Sequence, residues 1–166
     1  VYEGTYVTTK YTVNISDAAQ RFILDNNNID ISTLSVTVQT SSTDTTTTTY
    51  TIADNIVDIV DTTTAFFTQE TTDEEWEVYF GDGIIGKALI DGNIITMSYV
   101  VTNKADANGA STFTSESNIG GNSVITVVTA TAAAGGAEAD TLDAIKYNAP
   151  FSYSAQNRAV TAADYK

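Results

Sequence analysis

From Ile94 to Val101 the chain alternates. Ile95, Met97, Tyr99 and Val101 share one parity and form the more apolar side, while Ile94, Thr96, Ser98 and Val100 share the other. Alternation over eight residues has the two-residue period of a strand and does not fit the 3.6-residue period of a helix. A strand with one apolar face must lie in a sheet, and the chain supplies candidate neighbours. Leu34, Val36 and Val38 face one way while Ser35, Thr37 and Gln39 face the other. Val7, Thr9, Tyr11 and Val13 oppose Tyr6, Thr8, Lys10 and Thr12, a weaker version of the same pattern. Trp76, Val78 and Phe80 share a parity that points them toward a core.

Turn chemistry separates these runs. Asp25-Asn26-Asn27-Asn28, Thr71 to Glu75 and Asp91-Gly92-Asn93 are dense in residues that favour turns. Ser41 to Thr49 is nearly all Ser and Thr and reads as a turn entering a solvent-facing strand that ends at Tyr50-Thr51-Ile52. Ala65 to Gln69 reads as another strand. Ser16 to Phe22 fits one helical turn capped by Ser16 or an approach to the next strand. Asn55 to Asp61 is ambiguous: its aspartates have helical spacing, but Ile56, Val57, Ile59 and Val60 are β-branched, which weights it toward strand or a short turn.

Past Thr102 the pattern changes. Thr102 to Gly109 is a polar loop and marks an internal boundary. Phe113, Ile119 and the run Val124 to Val128 suggest further strands. Glu138 to Tyr147 reads as a short amphipathic helix, with Leu142, Ile145 and Ala149 on one stripe. Its acids stand at the N-terminal end and Lys146 near the other, which suits the helix dipole. Pro150 is expected to stop it. The expected fold is mainly β: an antiparallel sheet or sandwich-like domain over residues 1–103, a small α+β portion over 104–148, and a linker over 149–166 toward a further domain. The opening without Met and the close on Asp164-Tyr165-Lys166, which resembles the start of a helix, suggest a piece of a longer polypeptide.

Composition removes whole classes of function. With 21 acidic against 7 basic side chains the net charge is −14, opposite to what phosphate neutralisation by a nucleic-acid binder requires. No Cys means no disulfide, thiol nucleophile or thiolate metal site. No His removes the commonest general base near neutral pH and the commonest transition-metal ligand. No run approaches the ~20 apolar residues of a membrane helix. Hydrophobic residues at 42% are enough for a packed core.

Two stretches resemble a known family. Phe80-Gly81-Asp82-Gly83-Ile84-Ile85-Gly86, followed by Gly92-Asn93-Ile94-Ile95 and Tyr99, resembles the strand-turn-strand signature of the baseplate J family. More narrowly, it resembles the wedge proteins of T4-like contractile-tailed phages. Ala149-Pro150-Phe151-Ser152-Tyr153-Ser154-Ala155, running into Asn157-Arg158-Ala159-Val160-Thr161 and Asp164-Tyr165, is similar to that family's C-terminal segment. Gly135-Gly136, the acids after it and Ile145-Lys146 match the approach to it. The resemblance covers residues 76–166, with thinner support over 1–75. It implies a non-enzymatic structural subunit of the virion tail baseplate, assembled in the host cytoplasm. Its implied partners are other wedge proteins and further copies of itself. No cofactor, metal, nucleic acid, membrane or small-molecule substrate is implied.

The glycines of Gly81-Asp82-Gly83-Ile84-Ile85-Gly86 do not open a helix, because Asp91-Gly92 stops the run four residues after Gly86; a phosphate loop needs that helix. Gly81, Asp82, Gly83, Gly86 and Gly92 are therefore read as structural turns, with Phe80 anchoring the core while the glycines let two backbones pass closely. Asp54, Asp58 and Asp61, and likewise Asp73, Glu74 and Glu75, lack the spacing of a calcium loop. No pair of carboxylates is singled out for glycoside hydrolysis. Pro150, Phe151, Tyr153, Asn157, Arg158, Asp164 and Tyr165 are expected to form an interface or linker. Within it Arg158, a lone guanidinium among neutral neighbours, would orient adjoining domains through forked hydrogen bonds. The nine tyrosines and Trp76 leave an alternative, a carbohydrate-binding or adhesion module, which requires aromatics exposed on one sheet face.

Overall fold

The computed structural model describes residues 3–53, 56–73 and 75–155. The chain divides into two compact units, Val1–Asn103 and Lys104–Lys166.

The first unit is a seven-stranded sheet. Its strands are β1 (Thr5–Thr12), β2 (Phe22–Leu24), β3 (Ile29–Gln39), β4 (Thr47–Ile52), β5 (Ala65–Glu70), β6 (Trp76–Phe80) and β7 (Ile94–Val101). They lie in the order β1-β7-β3-β4-β5-β6-β2. The long alternating strand β7 sits between β1 and β3, antiparallel to both, with Val7 opposite Tyr99 and Val36 opposite Met97. Antiparallel pairing holds at every step except one: β4 and β5 run parallel, joined by a crossover that carries a single 3₁₀ turn at Ile56–Asp58. That turn occupies the stretch whose β-branched residues favour strand or a short turn over helix. β-branched residues tolerate one tight turn there without a continuing helix.

The sheet is a single layer curled nearly into a barrel rather than two packed layers. Its two ends, β1 and β2, meet through side chains. The Tyr11 ring sits edge-on to Phe22 with centroids 5.6 Å apart, and the Tyr11 hydroxyl donates to the Ile23 carbonyl. Curling turns one face of every strand inward, so the alternating parities become inside and outside. Leu24, Val36, Val78, Ile95, Met97 and Tyr99 are almost fully buried, with Phe66 and Tyr50 beside them. Each such side chain contributes about 1.5–3 kcal/mol on burial. The buried Tyr99 hydroxyl accepts a hydrogen bond from Asn26 Nδ2 at 2.9 Å. In β3 the register with β7 shifts between Asp30 and Ser35; Thr33 Oγ1 fills the gap by accepting from the Val100 N–H at 2.9 Å.

The second unit has no strand among its described residues. The strands expected at Phe113, Ile119 and Val124 to Val128 do not form; only an isolated bridge joins Ile119 and Asn122. β-branched sequence favours a strand only where a neighbouring strand completes the ladder, and none lies beside these residues. Side-chain clasps and sparse backbone bonds hold the segment instead. Asn108 bonds both the N–H and the C=O of Gly136, and backbone bonds tie Gly109 and Ala110 to Ala133.

The helix α1 runs Leu142–Ala155. It begins later than the expected Glu138 because Thr141 caps it, its hydroxyl accepting from the Ala144 N–H at 3.3 Å. Pro150 does not stop it and lies inside the helix. Proline loses one backbone bond, but its fixed φ is itself helical, so flanking turns can carry the helix past it. Residues 149–155 of the expected linker are therefore helical.

Candidate assembly surface

The link between β6 and β7 contains every residue expected to serve as a structural turn. Asp82 Oδ1 accepts from the N–H groups of Ile84 (2.8 Å) and Ile85 (2.9 Å), and Gly83 N–H donates to the Gly86 carbonyl at 3.0 Å. The Ile85 and Ile84 N–H groups hold the Asp82 carboxyl below the usual carboxylate range. Gly83 and Gly86 adopt φ of +88° and +82°, which a side chain resists. Gly81 has an ordinary φ, but a Cβ there would overlap the Gly86 backbone. The close backbone passage expected of these glycines is thus present. The loop is pinned to the β4–β5 crossover by Gly86 N–H to Val60 O (3.2 Å) and Lys87 N–H to Thr63 O (2.8 Å).

Gly92, at φ +79°, completes the second turn. Beside it Asn93 does more than the sequence suggested. Its amide accepts from Ile90 N–H and donates to the Thr40 carbonyl, both at 2.8 Å, and its backbone carbonyl accepts from Val13 N–H. A small cavity of about 80 Å³ lies here, lined in part by Thr48, Tyr50, Lys87 and Asn93. That is room for a few waters and far below the volume of an ordinary small-molecule site.

A second polar cluster went unread in the sequence. Glu77, on the outer face of β6, is only 4% exposed. Arg21 Nε and Nη2 fork onto its carboxylate, and the Tyr79 hydroxyl donates to Oε2 at 2.8 Å. The hydrogen bond from Arg21 depresses the Glu77 pKa, and Glu77 in turn raises that of Tyr79. The fork fastens the entry to β2 onto β6. The partners stand 56 positions apart in the chain, and no local spacing rule links them.

The expected interface residues divide. Phe151 and Tyr153 are exposed on α1, and the Tyr147 and Phe151 rings sit 5.4 Å apart, one helical turn from each other. Asn157, Arg158, Asp164 and Tyr165 lie outside the described residues. Among the described residues of the sheet, Tyr6 and Tyr79 are the exposed aromatics, which falls short of the aromatic platform that a carbohydrate-binding module requires. Trp76 and Phe80 pack against the core, and Tyr50 and Tyr99 are buried in it.

Residues 8–112, more than half of the chain and all but the start of the sheet, match the family described as bacteriophage baseplate wedge protein gp6, third domain. The chain belongs to that family. No curated protein matches it. Membership in the gp6 third-domain family makes the chain a structural component of a phage tail baseplate, and hence of the virion. The gp6 match supports the resemblance to T4-like wedge proteins and does not carry the baseplate J name. It also falls differently from the resemblance. It takes in β1 to β5, where support was thin, and includes the Phe80-to-Tyr99 motif, but the Ala149-to-Tyr165 motif lies beyond it.

Proposed function

We propose that this chain is part of a baseplate wedge subunit that works by packing: it joins neighbouring wedge proteins into the ring around the tail hub and performs no catalysis. The observation that carries this reading beyond family membership is the exposure of large apolar side chains in the second unit. Val124 is 91% exposed and Val128 83%, with Phe151 and Tyr153 also open on α1. A free domain gains by burying such groups, and their number in one unit supports a surface that a partner covers. The carboxylates that the fold sets apart, Asp82 and Glu77, are engaged in hydrogen bonds that shape the chain, which agrees with a structural role.

Arg158 is assigned an orienting role in assembly. The test pairs two measurements: unfolding of this chain carrying Arg158→Ala, and incorporation of the same change, in the full wedge subunit, into wedge complexes. Incorporation should drop while unfolding stays unchanged. Normal incorporation, or a loss fully explained by unfolding, contradicts the role.

A further inference from the structure

The Gly81–Gly86 loop is built with unusual rigidity for a connection. Three glycines, an aspartate side chain and two bonds to the crossover fix its path. Yet the residues it carries at its tip are isoleucines, and Ile84 is 77% exposed. A connection that only reverses the chain places polar residues at such a tip. Here the hydrogen-bonded, glycine-shaped backbone holds an apolar side chain out in water.

The surroundings continue the pattern. Val60, whose carbonyl accepts from Gly86 N–H, is exposed beside Ile84 and Ile85. Ile90 and Ile15 are exposed as well, brought together by the bond from Ile15 N–H to Asp91 Oδ1 at 3.1 Å. All of these lie at one end of the barrel, where β1 and β6 finish and β7 begins. The charges among them are one-sided: Asp61, Asp82 and Asp91 against Lys87.

We infer that this barrel end is a docking surface for a different protein, one that presents an apolar centre flanked by Lys or Arg side chains. The inference rests on the wedge-assembly reading above and names the surface and the chemistry of the partner. The charge argument selects the occupant. Two copies of this chain meeting here would set aspartates against aspartates in a molecule already at −14, whereas a basic rim would be attracted and steered. The preformed loop lowers the ordering cost of association, since the isoleucines are already held in place.

The test uses the full wedge subunit and purified wedge proteins of the same baseplate, offered one at a time at low and high salt. The variants are Ile84→Ser and Asp61→Lys, with thermal unfolding measured for each. Because both positions are exposed, unfolding should not change. Ile84→Ser should weaken binding to one wedge protein about tenfold or more, as at an interface hot spot. Asp61→Lys should weaken it at low salt and flatten its salt dependence. If a wedge protein binds and both variants stay within about twofold of the parent, the docking surface is wrong and the wedge reading stands. If no wedge protein binds, the wedge reading fails and takes the inference with it. Should Ile84→Ser abolish self-association instead, the occupant is a second copy and the inference is overturned.

Discussion

Ile94 to Val101 and Ser123 to Val128 are alike in composition, each made mostly of Val, Ile, Thr and Ser. Their fates differ. The first is β7, paired along both edges and contributing Ile95, Met97 and Tyr99 to the core. The second forms no ladder with any described residue, and Val124 and Val128 stand in solvent. Intrinsic strand preference therefore decides little by itself. What separates the two is a pair of neighbouring strands whose apolar faces curl over the same interior. One unit completes its own sheet, while the other leaves β-competent apolar sequence uncovered.

Truncation tests this contrast most strongly. Met97→Ala, in the closed interior, should cost about 2–5 kcal/mol in denaturant unfolding, from lost burial and the cavity left behind. Val124→Ala should change stability by less than about 0.5 kcal/mol. Similar costs at the two sites would mean that the second unit has a core of its own.

Glycine replacements sharpen the comparison at intermediate size. Gly81→Ala forces a methyl group into the Gly86 backbone and should cost about 3 kcal/mol. Gly92→Ala and Gly120→Ala meet no atom within 4 Å and carry only the strain of φ near +79° and +59°, about 1–2 kcal/mol each. Equal effects at Gly81 and Gly92 in unfolding titrations would remove the close backbone contact from the account.

The smallest expected effect is in pH dependence and belongs to the sheet unit alone. The Glu77 pKa is lowered in the folded chain by Arg21, so its contribution is complete above the unfolded carboxylate value, about 4.3. It is lost as pH falls through the lower folded value. Glu77→Gln should therefore flatten the acid side of a stability–pH profile. A profile as steep as the parent's would show that the Arg21 fork contributes nothing measurable.

Much of the sheet was legible because its strands obey a local period. Val36 and Val38, Ile95, Met97 and Tyr99, and Val78 all face inward as their parity requires. The turns were legible too, since positive φ at Gly83 and Gly92 follows from glycine between alternating runs. What could not be read depends on distance along the chain. The parallel β4–β5 pair, the Tyr11–Phe22 closure and the Arg21–Glu77 fork join residues whose pairing no local pattern encodes. Helix α1 departs from its expected bounds at both ends for local reasons. Thr141 caps it three residues past Glu138, and Pro150, a residue that often ends helices, has a backbone angle compatible with one. For the candidate surface, the Gly81-to-Gly86 turns were visible, but the outward display of Ile84 was not. Exposure depends on what the rest of the fold covers.

Backbone hydrogen exchange in the isolated wedge subunit and in assembled wedges tests the central claim, that this chain acts by having its uncovered apolar sequence covered on assembly. Amides of Ile94 to Val101 should exchange slowly in both states. Those of Ser123 to Val128 should exchange fast in the isolated subunit and slow by about tenfold or more on assembly. Amides of Ser123 to Val128 that are already slow in the isolated subunit, or that stay fast in the assembled wedge, would contradict it.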